Sequence, residues 1–117
     1  MNIIIKTKNL ELTDSLENLI NKKMVSLKKL VKNLQESSEL LFEVEKETKH
    51  HRKGDIFKSE AMINLPGTNL VARSHGENLG RVITKVKSEM EREIRKYKSK
   101  TVELPRRKYR KTKREII

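Results

Sequence analysis

The chain has 117 residues, 34% hydrophobic and 38% charged, with 28 Lys and Arg against 16 Asp and Glu for a net charge of +12. That composition fits one domain with a thin two-layer core and leaves little room for a deep substrate cavity. The lack of cysteine excludes disulfides and thiolate chemistry, while the positive excess favours a polyanionic partner, nucleic acid ahead of a membrane surface.

A membrane role fits poorly because no apolar run approaches the length of a spanning helix and Trp is absent. The opening Met1-Asn2-Ile3-Ile4-Ile5-Lys6 is too short and turns polar too soon for a signal peptide, so a cytoplasmic location is expected. Charge is unevenly distributed. Residues 1–97 hold 19 Lys and Arg against 14 Asp and Glu, and residues 98–117 hold 9 against 2. A mixed-charge globular body over 1–97, followed by a basic tail over 98–117 that is disordered when unbound, is therefore predicted.

Met1 to Asn9 begins with three isoleucines, a β-branched run suited to a short strand. Thr13 is a helix N-cap, with Asp14 and Glu17 in the first turn where the helix dipole favours anions. Leu16, Leu19, Ile20, Met24, Leu27, Leu30, Val31 and Leu34 then recur at helical spacing. From Ser38 to Glu47 the period changes to two. Leu40, Phe42 and Val44 share one face, and Leu41, Glu43, Glu45 and Glu47 share the other.

Thr48 to Asp55 reads as a polar, basic hairpin loop containing Gly54. Ile56 to Leu65 alternates again, with Phe57, Ser59, Ala61, Ile63 and Leu65 inward, and Pro66-Gly67-Thr68-Asn69 is a turn. Leu70 to His75 makes a last strand with Leu70, Ala72 and Ser74 inward. Gly76 breaks it, and Asn78 caps a second helix striped by Leu79, Val82, Ile83, Val86, Met90, Ile94 and Tyr97. The predicted fold is α+β, a two-layer sandwich of order β-α-β-β-β-α, with a four-stranded sheet and two helices packed on one face. If the first two strands pair in parallel, the intervening helix crosses over right-handed.

On the second helix Arg81, Lys85, Arg92, Arg95 and Lys96 fall opposite the apolar stripe, with Lys87 off that ridge. Cations so spaced can each meet a phosphate along a folded RNA backbone. The plainer reading is a solvated charged face, and the shortage of acids on the ridge weighs against it. The first helix directs Lys22, Lys28, Lys29 and Lys32 away from its core. Lys23 falls at the core edge, as a snorkelling lysine or as a cation in the groove between the helices. Both readings stand.

His50, His51 and His75 have no ligand spacing for a metal, so none is expected, and no cofactor or small-molecule substrate is implied. Arg52 and Lys53 beside them either touch phosphate or solvate a loop tip. Glu43, Glu45 and Glu47 lie on an exposed face near Lys46, Lys58 and Arg73, where cross-strand ion pairs are more natural than acid–base catalysis. No nucleophile elbow, phosphate-binding glycine loop or zinc-protease motif is present; the chain does not read as an enzyme. Phe42 and Phe57 are in phase with buried faces, which points to backbone and shape readout of RNA by helices, not base stacking on strands.

In its element order and several segments the chain resembles the ribosome hibernation promoting factors and ribosome-associated inhibitor proteins. The resemblance covers about residues 1–97. It rests on Leu10-Glu11-Leu12-Thr13, Lys23-Met24-Val25-Ser26-Leu27-Lys28-Lys29-Leu30, Glu43-Val44-Glu45-Lys46, the run His51 to Ala61, and Leu65-Pro66-Gly67. It implies binding in the decoding region of the small ribosomal subunit, over the mRNA and tRNA positions, with translation inhibited under stress. Carried over by position, the implied rRNA contacts are Lys23, Lys29, Arg92 and Lys96; the ridge adds Arg81, Lys85 and Arg95, and the tail adds Arg106 and Arg107.

The chain departs from the family pattern at three places. Asn78-Leu79-Gly80 replaces the usual Asp-Met-Tyr, Ser26 replaces a lysine, and Glu89 stands where a basic residue is common. The chain resembles a short form, and is expected to lack the C-terminal domain by which long members pair ribosomes and to be a monomer when free. A general RNA- or DNA-binding module and a protein–protein interaction domain are the alternatives.

Overall fold

The computed structural model describes residues 2–32, 39–48, 54–65 and 67–100. Six elements follow in the order expected: β1 (Asn2–Lys8), α1 (Asp14–Val31), β2 (Glu39–Thr48), β3 (Asp55–Leu65), β4 (Thr68–Gly76) and α2 (Leu79–Lys98). Leu34, the loop residues His50, His51, Arg52 and Lys53, Pro66, and the tail from Thr101 with Arg106 and Arg107 lie outside the described residues.

The sheet runs β1-β2-β3-β4. β1 and β2 pair in parallel, which is why a helix connects them, and the other two pairings are antiparallel hairpins. The second hairpin is tighter than the four-residue turn read from the sequence. Leu65 pairs with Thr68, so Thr68 and Asn69 already belong to β4. Gly67 takes φ +82°, a conformation that an L side chain resists.

Both helix starts follow their caps. Thr13 Oγ1 accepts from the Leu16 N–H at 3.2 Å, and Asn78 Oδ1 accepts from the Arg81 N–H at 3.0 Å. At the β4–α2 corner a Cβ on Gly76 would meet Val82 Cγ2 at 3.3 Å, so the bare backbone lets the helix turn back closely over the sheet.

The core lies between the helices and one sheet face. Leu16, Ile20, Met24, Leu27 and Val31 of α1 and Ile83, Val86, Met90 and Ile94 of α2 pack on Leu40, Phe42, Val44, Ala61, Ile63, Leu65, Leu70 and Ala72. Ile3 and Ile5 close the β1 side. One expected core residue departs from this pattern: Phe57 is only half-buried and lies outside the cluster. Its register explains this, because its neighbours are Lys46 on β2 and Gly76 on β4 and neither supplies apolar cover. Ile56, on the opposite face, is buried apart from the main core.

Candidate nucleic-acid interface

The two faces of α2 divide sharply. Val82, Ile83, Val86, Met90 and Ile94 are buried, whereas Arg81, Lys85, Arg92, Arg95 and Lys96 are all exposed. Burial of the first set fixes the helix's rotation, which turns the second set outward as one ridge. Ser88 lies midway along it, three residues after Lys85 and four before Arg92, and is exposed. Sequence reasoning passed over it, because a hydroxyl carries no charge signal.

The ridge borders two open depressions beside the free edge of β4. One, of about 380 Å³, is lined by His75, Gly76, Asn78, Arg81 and Lys85 among others. The next, of about 280 Å³, is lined by Ser74, Thr84, Lys85, Ser88, Glu89 and Arg92. Lys85 belongs to both. Cations beside hydroxyls along a groove suit a sugar–phosphate backbone, which needs charge and hydrogen-bond donors without an enclosing pocket.

Not every cation of α2 is equally available. Lys96 Nζ lies 3.6 Å from Glu93 Oε1, one turn earlier. Lys87, off the ridge as expected, is half-buried and lies 3.7 Å from Glu91 Oε1. Glu91 also accepts from Ser26 Oγ of α1 at 3.4 Å, so the serine that replaces a lysine of the family pattern makes an interhelical hydrogen bond. Lys23 is half-buried near this seam, and Ser26 Oγ also reaches its backbone carbonyl at 3.4 Å. Lys29 projects from the exposed side of α1 with Lys22, Lys28 and Lys32.

Three carboxylates on the open sheet face form ion pairs, though not with all of the partners expected. Lys58 Nζ lies 2.8 Å from Glu47 Oε1, Lys8 Nζ 3.6 Å from Glu45 Oε1, and Arg73 Nε 2.8 Å from Glu60 Oε2. Lys46 pairs instead with Asp55 at 3.2 Å, because strand alternation puts it on the other face from the glutamates. The hydrogen bond and the charge of Glu47 raise the Lys58 pKa above the usual lysine value. Among the described residues no group of three or more His, Asp or Glu is placed to hold a metal, and no helix is long and apolar enough to cross a membrane.

The molecule so described is an α+β domain with one cationic helical side and one mixed-charge sheet side. Residues 3–102 match the family model described as sigma 54 modulation protein / S30EA ribosomal protein, and the chain belongs to that family. Its members are ribosome-associated modulation and hibernation factors, a non-enzymatic class. The fold is similar to the Protein Y N-terminal domain of Thermus thermophilus, with TM-score 0.61 and 22% identity over 83% of this chain and 99% of that one. It is also similar to a ribosomal subunit interface protein from Coxiella burnetii, with TM-score 0.62 and 16% identity over 85% of this chain and 99% of that one. No curated protein matches the sequence significantly.

Proposed function

We propose that this protein silences ribosomes by occupancy: it binds the decoding region of the small subunit in the cytoplasm, covers the mRNA and tRNA sites and stops translation under stress. The observation that carries the reading is the opposition of stripes on α2, apolar residues held in the core and Arg81, Lys85, Arg92, Arg95 and Lys96 held out to solvent. Family membership makes the ribosome the polyanion in question.

In this reading the α2 ridge meets rRNA phosphates, with Lys29 and Lys23 of α1 extending the contact. The body, residues 1–97, acts as a monomer. The tail, residues 98–117, adds electrostatic anchorage through cations that include Arg106 and Arg107. No cofactor takes part. Displacement of tRNA tests the proposal. Added to isolated small subunits carrying tRNA and a short mRNA, the protein is expected to release both in proportion to its own binding. Stable co-residence of tRNA and protein on one subunit contradicts it.

A further inference from the structure

The open face of the sheet, away from both helices, carries an ordered pattern that RNA binding by the helices leaves unused. Strand register aligns Ile4, Leu41, Met62 and Val71 in one row across all four strands. Neighbouring strands lie about 4.8 Å apart, so the row is continuous over roughly 14 Å. Ile4 is 40% exposed and Val71 36%, and Leu41 and Met62 between them are half-buried. Apart from these two, Val25 on α1 is the remaining exposed large hydrophobic residue among the described residues. Such a row on a solvated sheet gives up hydrophobic stabilisation unless something covers it.

The next row along the strands is Lys6, Glu43, Glu60 and Arg73. Arg73 holds Glu60, and Glu43 sits directly across from that same carboxylate. Two like charges opposed across strands are destabilising unless a cation joins them. Both glutamates line an open depression of about 360 Å³, together with Glu45, Lys58, Arg73 and His75. Thus a chain of net charge +12 presents one face on which Lys6, Lys8, Lys58 and Arg73 are balanced by Glu39, Glu43, Glu45, Glu47 and Glu60. So balanced a face offers phosphates little net attraction, and a two-fold stack of copies centred on Glu43 and Glu60 would set carboxylate against carboxylate.

We propose that this sheet face docks a basic protein segment of the ribosome, an apolar side chain resting on the Ile4–Leu41–Met62–Val71 row and a neighbouring Lys or Arg entering between Glu43 and Glu60. The two rows are separated by two residues along a strand, about 7 Å. An extended segment with an apolar residue and a cation at positions i and i+2 therefore fits both at once. The inference rests on the ribosome-binding reading above and deepens it: rRNA on the helical side, protein on the sheet side.

Site-specific photo-crosslinking on purified ribosomes tests it. A photoreactive residue replaces Val71 in one full-length variant and Ser88, on the α2 ridge, in another. After binding at low salt and irradiation, the Val71 probe is expected in a ribosomal-protein peptide within two residues of a Lys or Arg, and the Ser88 probe on rRNA. Adding Glu43→Lys to the Val71 variant should cut its protein crosslink several-fold while the chain still sediments with ribosomes. Crosslinks from Val71 to rRNA, to the chain's own tail or to a second copy overturn the proposal, as does no crosslink from a bound chain. A chain that does not sediment with ribosomes at all overturns the functional reading, and this inference with it.

Discussion

Among the described residues Ser59 is the one buried polar residue, 3% exposed, and its Oγ has no hydrogen-bond partner there. A buried hydroxyl without a partner costs stability, since water solvates it in the unfolded chain. Ser59→Ala is therefore expected to leave stability unchanged or raise it by about 1 kcal/mol, read as an upward shift of the urea midpoint at constant slope. Lys58 yields a prediction of opposite character. Its pKa is raised by Glu47, so the stabilisation from this pair is present below the ordinary lysine pKa and is lost as pH rises through the raised value. Lys58→Met should melt slightly below the wild type at neutral pH, and the two curves should converge in strong alkali. A gap that widens with pH would contradict that sign.

Among the elements, α2 shows most clearly how local sequence sets both stability and function. Asn78→Ala removes the acceptor for the Arg81 N–H and is expected to cost about 1 kcal/mol. Met90→Ala, in the fully buried stripe, is expected to cost about 2–5 kcal/mol. Both are measurable by denaturant unfolding. Charge reversal at Arg92 and Lys96 on the opposite side should change stability by less than about 1 kcal/mol. The helices were legible in the sequence because a 3.6-residue period needs only neighbours along the chain, and the ridge followed once the buried stripe was known. The two capping residues were legible for the same reason.

What sequence reading missed depends on cross-strand register. Phe57 has the right phase for the core but the wrong neighbours, Lys46 and Gly76, and no local pattern reveals them. The pairing of Asp55 with Lys46 likewise follows from register, and the bond from Ser26 to Glu91 joins two helices that no local pattern brings together. The open-face row is the strongest case. Ile4, Leu41, Met62 and Val71 each look unremarkable within their own strand, and become a row when parallel and antiparallel pairings bring them level.

Across the whole molecule, charge is sorted by layer. The helical side is cationic, the sheet side is nearly balanced, and the tail holds more than half of the net excess. Such sorting orients the domain as it approaches a polyanion, helices first. Ribosome affinity should accordingly fall steeply with salt, each phosphate contact contributing about one unit to the log–log slope. Truncation after Lys100 should flatten that slope while the body continues to bind at low salt.

The most direct test is co-sedimentation with purified ribosomes across a salt series, comparing the wild type with Arg92→Glu/Lys96→Glu. The account predicts tight wild-type binding at low salt that weakens steeply as salt rises. The folded double variant should bind more weakly, with a slope shallower by about two units. Equal binding and equal slope for the two proteins, or a wild type that stays at the top of a low-salt gradient with ribosomes intact, would contradict it.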